Sequence, residues 1–150
     1  MDNTTETQYQ NPSIKGSSKA VLVTGGAGYV GSHTCKHLAK NGFTPVVIDR
    51  DLKTKFKPAE FGPIFDINLP QEIERLEEII KRFNITSCIH FAGSASVAES
   101  VKNPSEYYKN NVITTVVLLD KLIECGVKTF VYSSSAATYG DPGFRKCKES

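Results

Sequence analysis

The sequence predicts an α/β fold: a doubly wound parallel sheet of about five strands in the spatial order 3-2-1-4-5. Three observations carry that expectation. Short apolar runs alternate with stripes of helical period, the pattern of strands joined by helical crossovers. A glycine-rich turn, Gly25-Gly26-Ala27-Gly28-Tyr29-Val30-Gly31, separates the first run from the first stripe. Polar residues recur where runs end, at Thr24, Asp49, Asp66 and Ser133 to Ser135. Those are the carboxyl ends of strands, where a parallel sheet of this kind meets its ligands.

Taken in order, Met1 to Ser18 is polar and without periodicity, which predicts a disordered tail, and residues 19–150 form one domain. The first strand ends at Thr24. Gly25 suits an abrupt reversal, because glycine adopts positive φ without penalty. Gly28 leaves the backbone bare beneath a ligand, and Gly31 lets the following helix pack closely. That helix is expected from about Tyr29 to Asn41, with Val30, Thr34 and Leu38 facing the sheet and Gly42 closing it. His33 and His37 lie four apart on it, but no further ligand is near in the sequence, so no metal site is expected.

The second strand, Val46-Val47-Ile48, ends at Asp49, and a charged loop runs from Arg50 to Glu60. A short third strand, Pro63 to Ile67, contains Asp66. Asn68-Leu69-Pro70-Gln71 reads as a helix start, with a cap, an early proline and a glutamine at the reciprocal position. Ile73, Leu76, Ile79, Ile80 and Phe83 make the apolar stripe of that helix. The fourth strand is Ser87 to Phe91, and a loop follows. Asn103-Pro104-Ser105-Glu106 then opens a long helix to about Cys125, and the fifth strand spans Thr129 to Ser133. Right-handed crossovers give the strand order.

Composition excludes several classes. The 150 residues carry a formal net charge of +2, from 18 basic and 16 acidic side chains mixed along the chain. That is neither a nucleic-acid footprint nor a polybasic membrane patch. No apolar run nears the ~18 residues of a membrane span. Cys35, Cys88, Cys125 and Cys147 form no close pair, which reads as free thiols in a reducing compartment. The start of the chain fits neither a signal nor a transit peptide, so a cytoplasmic location is expected.

Glycine turn, helix, second strand and terminal acid together point to a dinucleotide, in a Rossmann-like frame. A pyrophosphate fits the N-terminus of the helix. Asp49, eighteen residues after Gly31, is placed to accept ribose hydroxyls.

Five motifs in register then carry a resemblance. Thr24 to Thr34, His90-Phe91-Ala92-Gly93, Glu99-Ser100-Val101, Tyr107 to Asn111 and Ser133 to Gly140 resemble those of the extended short-chain dehydrogenases. Within these they look like the NAD-dependent nucleotide-sugar epimerases of the UDP-glucose 4-epimerase type, over about residues 20 to 142. The resemblance implies NAD as cofactor, with Gly25, Gly28, Tyr29, Val30 and Gly31 around the pyrophosphate and Asp49 at the adenosine ribose. Asp66 and Ile67 would border the adenine, Phe91, Ala92 and Gly93 would line the cofactor's path, and Asn110 would hold its middle. Ser135 would hydrogen-bond the reacting hydroxyl of a UDP-hexose, which the family epimerises at C4 through a 4-keto sugar. It also implies a homodimer through the helix of residues 103–125.

Sequence features qualify the activity. Related dehydratases need an acid/base pair after the serine run, where this chain has Ala136-Ala137-Thr138, so an epimerase is favoured over a dehydratase or reductase. The family's Y-x-x-x-K motif is missing: Tyr9, Tyr29, Tyr107, Tyr108, Tyr132 and Tyr139 all lack a lysine four residues on. The 150 residues are therefore expected to stop short of the final strands and the sugar-binding region, and not to catalyse alone. A non-catalytic NAD-binding module or a shortened relic is the alternative. Arg50 could pair with a 2′-phosphate, but Asp49 would repel it, which favours NAD over NADP. A serine hydrolase is disfavoured, because no histidine and acid can be placed beside the serines.

Overall fold

The computed structural model describes residues 19–50, 52, 60–141, 143 and 145–148. The expected tail and most of the Arg50–Glu60 loop lie outside them. Five strands, β1 (Ala20–Thr24), β2 (Thr44–Asp49), β3 (Ile64–Asp66), β4 (Ser87–His90) and β5 (Thr129–Tyr132), form one parallel sheet. Its order is β3-β2-β1-β4-β5, as the alternation of strand and helix requires.

The two-residue period of the strands divides the core into two layers. Ala20 and Leu22 of β1, Val46 and Ile48 of β2 and Cys88 of β4 face one side. There they meet Leu76, Ile79 and Ile80 of α2 (Ile73–Phe83) and Leu118 and Leu122 of α5 (Thr114–Glu124). Val21, Val23, Val47 and Ile64 face the other side, with Cys35 of α1 (Tyr29–Lys40). Both faces of β1 and β2 are covered, so these strands read as continuous apolar runs. Lys121 of α5 ties the two helices of the first layer, its Nζ lying 2.9 Å from Glu124 and 3.5 Å from Glu74. Leu76 is fully buried, so Leu76→Ala should cost about 3 kcal/mol, read as a fall in the urea midpoint with unchanged slope.

Three local expectations need correction. On α1 the buried face is Gly31, Ser32 and Cys35, and Val30 is 56% exposed. Leu38 packs half-buried against this layer as expected. At the start of the helix the missing side chain of Gly31 brings the first turn against the glycine turn, so Gly31 takes the buried position in place of Val30. Next, α2 begins at Ile73, not near Asn68. Leu69-Pro70 is a cis peptide bond in a turn. The reciprocal contact comes instead from Glu72, whose carboxylate accepts the Asn68 N–H at 2.8 Å. That bond, with Arg75 alongside, holds the Glu72 carboxyl below its usual range.

The third correction concerns the segment after β4. It contains a short helix, α3 (Val97–Lys102), whose cap Ser96 accepts the Glu99 N–H. The long helix is interrupted: α4 (Pro104–Tyr108) passes through a π-helical turn, Lys109–Ile113, into α5. Thr114 Oγ1 donates to the Lys109 carbonyl five residues back within that turn. Periodicity sees one helix here because a π turn keeps the chain helical and only shifts the phase.

Candidate functional site

Two adjoining clefts lie off the carboxyl ends of the strands and share Phe91, Ala92 and Gly93. The first is lined by Gly25, Asp49, Arg50, Ile67 and Asn110, among others. The second is lined by Gly28 to Gly31 on one side and by Tyr107, Asn111 and Ser133 to Ser135 on the other. Of the residues singled out in the sequence, twelve line one cleft or the other: Gly25, Gly28, Tyr29, Val30, Gly31, Asp49, Ile67, Phe91, Ala92, Gly93, Asn110 and Ser135. Asp66 lines neither; its carbonyl accepts from Arg75 Nη1 at 3.1 Å.

The glycine turn is built by close approach. Gly25 has φ +69°, and a Cβ there would stand 2.6 Å from Ala92 N. A Cβ on Gly31 would collide with Gly25 O. The turn is thus pressed between the loop after β4 and the first turn of α1. The leading N–H groups of α1 have no intrahelical acceptor, and together with the helix dipole they make the turn a cradle for a phosphate group.

Asp49, buried at the end of β2, has two tasks. Its Oδ2 accepts the Ala27 N–H at 3.0 Å and its Oδ1 accepts the Arg50 N–H at 2.8 Å. One carboxylate oxygen therefore pins the glycine turn. A ribose diol above the cleft would meet the same carboxylate that pins the turn. Ser135 is exposed, and its hydroxyl caps the short 3₁₀ turn Ala136–Tyr139 by accepting the Ala137 N–H at 3.2 Å.

A polar cluster at the centre of the sheet was not legible in the sequence. His90, 1% exposed, closes β4 with Nδ1 2.5 Å from Thr24 Oγ1 and Nε2 3.1 Å from Thr115 Oγ1. Its ring stacks on Tyr132 at 5.8 Å and lies 5.9 Å from Phe130. Asn111 clamps the loop after β4: Oδ1 accepts the Ser94 N–H at 2.8 Å, and Nδ2 donates to the Ser94 carbonyl at 2.9 Å. Asn110 Nδ2 donates to Ser94 Oγ at 2.9 Å. One signal was available, since a histidine in the strand Ser87-Cys88-Ile89-His90 shares the core-facing parity of Cys88.

Burial holds the His90 imidazole below its usual 6.5. The native state favours the neutral ring, so this contribution to stability is complete above pH 6.5. It declines as the pH falls from there toward the lower native value, because the unfolded chain then takes up a proton that the folded chain does not. Urea midpoints measured from pH 7.5 down to 5.5 should fall, and His90→Phe should remove part of that slope.

Residues 21–149 match the model of the NAD dependent epimerase/dehydratase family. The chain is 43% identical over 129 residues to a UDP-glucose 4-epimerase of Rhizobium leguminosarum bv. trifolii, covering 83% of this chain and 38% of that protein. It is 45% identical over 136 residues to one from Haemophilus influenzae, again over 38% of the relative. Among solved structures it resembles UDP-glucose 4-epimerase from Brucella ovis in complex with NAD (TM-score 0.75, 43% identity, 82% of this chain and 38% of that one). It also resembles the Bifidobacterium longum enzyme in complex with NAD+ and UDP (TM-score 0.78, 33% identity, 87% and 41%). The chain spans well under half the length of these relatives. With a doubly wound sheet, a glycine turn at its centre and a family match over most of its residues, the chain belongs to the NAD dependent epimerase/dehydratase family.

Proposed function

We propose that these residues are the NAD-binding portion of a nucleotide-sugar 4-epimerase of the UDP-glucose/UDP-galactose type. The observation that carries the reading is the joint placement of the glycine turn and Asp49, linked by the Ala27–Asp49 hydrogen bond, at one rim of the cleft. The cradle fits the cofactor: at Gly28, which lines the cleft, a Cβ would meet only Gly25 O, at 3.2 Å, so the bare backbone there faces open space. Gly28 to Gly31 would hold the pyrophosphate and Asp49 the adenosine ribose. Ile67, with Asp66 beside it, would border the adenine, and Phe91 to Gly93 and Asn110 would carry the remainder toward Ser135. When bound, the nicotinamide would accept and return a hydride at the sugar's C4.

On this reading Ser135 would orient the sugar hydroxyl. Its acid/base partner is not among the tyrosines of these residues, since no Y-x-x-x-K occurs in the sequence. An unassisted tyrosine, with a pKa near ~10, is a poor base at neutral pH. Epimerisation would therefore need a tyrosine and lysine from polypeptide beyond the 150 residues. Ala136, Ala137 and Thr138 speak against dehydration. A homodimer through residues 103–125 fits the exposure of Val112, Val116 and Ile123. A reducing cytoplasm fits the buried thiols of Cys35 and Cys88, each pushed up to about 12 by burial.

Two assays separate the readings. Calorimetry with NAD should show saturable one-to-one binding, and UDP-galactose supplied with NAD should not be converted by these residues alone. Binding without turnover in any longer form of the chain that does contain Y-x-x-x-K would favour a non-catalytic NAD module. Absence of NAD binding would overturn both.

A further inference from the structure

The hydrogen bonds around His90 close into a ring, and the ring fixes a proton. Thr115 Oγ1 donates its single proton to the Asn111 carbonyl at 2.7 Å. Toward His90 it can then only accept, so Nε2 carries the imidazole proton. With the ring neutral, Nδ1 is an acceptor and Thr24 Oγ1 donates to it. That leaves the Thr24 oxygen to accept the Ala92 N–H at 3.4 Å.

At the other end, the side chain of Asn111 holds both backbone groups of Ser94. The circuit thus leaves the chain at Ala92, crosses β1, β4 and α5, and returns at Ser94. It brackets Gly93, on the wall common to both clefts. The contacts facing the ring are Thr24 from β1, Thr115 from α5 and the aromatic rings of Phe130 and Tyr132 from β5. Tyr132 is the titratable group among them.

We infer that His90, neutral and protonated on Nε2, is a positioning residue that fixes the Ala92–Gly93–Ser94 wall of the cofactor cleft through Thr24 on one side and Thr115 and Asn111 on the other. The inference rests on the NAD-binding reading for its functional consequence, but not for its structural content. The imidazole need not touch the cofactor. It holds in place the backbone that does.

The test has two independent readouts on the full 150-residue chain. Long-range ¹⁵N–¹H spectra of the unliganded protein at pH 7.5 should place His90 in the Nε2–H tautomer. An Nδ1–H or rapidly averaging ring would overturn the inference whatever the protein binds. NAD titrations should then show His90→Phe, which keeps the ring packing, weakening affinity about tenfold. His90→Asn, with an amide oxygen near the Nδ1 position, should recover part of that loss. Thr115→Val breaks the ring without touching His90, covers the case in which His90→Phe fails to fold, and should weaken binding as well. Unchanged affinity in the folded variants, beside a wild type that binds NAD, would overturn the positioning role. A wild type that binds no NAD would instead overturn the cofactor reading, with the tautomer still reporting on the ring.

Discussion

Asp49→Ala is expected to lower NAD affinity by at least a hundredfold while leaving a folded protein. Two charge-assisted bonds to a ribose diol are worth roughly 1.5–3 kcal/mol each, and a loss of ~3 kcal/mol already exceeds a hundredfold in Kd. The same substitution removes the acceptor of the Ala27 N–H, so the glycine turn loosens as its ligand contact is lost. Stability should drop by about 1–3 kcal/mol from the unpaired buried group. Asp49→Asn separates the two effects. Its amide oxygen can keep the Ala27 bond, but its NH2 then faces the Arg50 N–H that the parent carboxylate accepts. The fold should therefore be restored only in part, whereas the missing charge leaves most of the binding defect in place. Calorimetry and urea unfolding on the same samples check both halves.

Gly25→Ala should damage folding and binding together. Positive φ at this position costs an alanine about 1 kcal/mol. The added Cβ would stand 2.6 Å from Ala92 N and 2.8 Å from both Ala92 Cα and Phe91 C. These are backbone atoms at the end of β4, which cannot swing aside, so overpacking adds roughly 1–3 kcal/mol. The sum, about 3 kcal/mol, corresponds to a fall of roughly 6–12 °C in Tm for a chain of this size. Gly42→Ala is the matched control: φ is +80°, but nothing lies within 4 Å of the added carbon. It should lose only the conformational part and retain NAD binding.

These two residues also show how much the sequence discloses. Strand order, the glycine turn and the placement of Asp49 follow from short-range rules: apolar period, glycine spacing and an acid at a strand end. The sheet confirms the order in full. What escaped is long-range or fine in phase. The face that α1 buries depends on how closely Gly31 lets the helix approach the turn, which no period count measures. The start of α2 depends on whether Gln71 or Glu72 reaches back to the Asn68 N–H, and the capping pattern marks only the first while Glu72 makes the bond.

The His90 circuit is the clearest case. Thr24, His90, Asn111 and Thr115 are spread over ninety-two residues of chain, and only the pairing of β1 with β4 brings Thr24 beside His90. A buried histidine among apolar neighbours gives no local sign of its partners. The π-helical turn is similar, since Lys109–Ile113 continues the helical pattern and shifts its phase only in three dimensions.

The decisive experiment on the cofactor cleft is an NAD titration of the unmodified chain with Asp49→Ala alongside. Saturable one-to-one binding by the parent and a loss of at least a hundredfold in the variant are expected. No binding by the parent, or equal binding by the two, would contradict the NAD-binding reading.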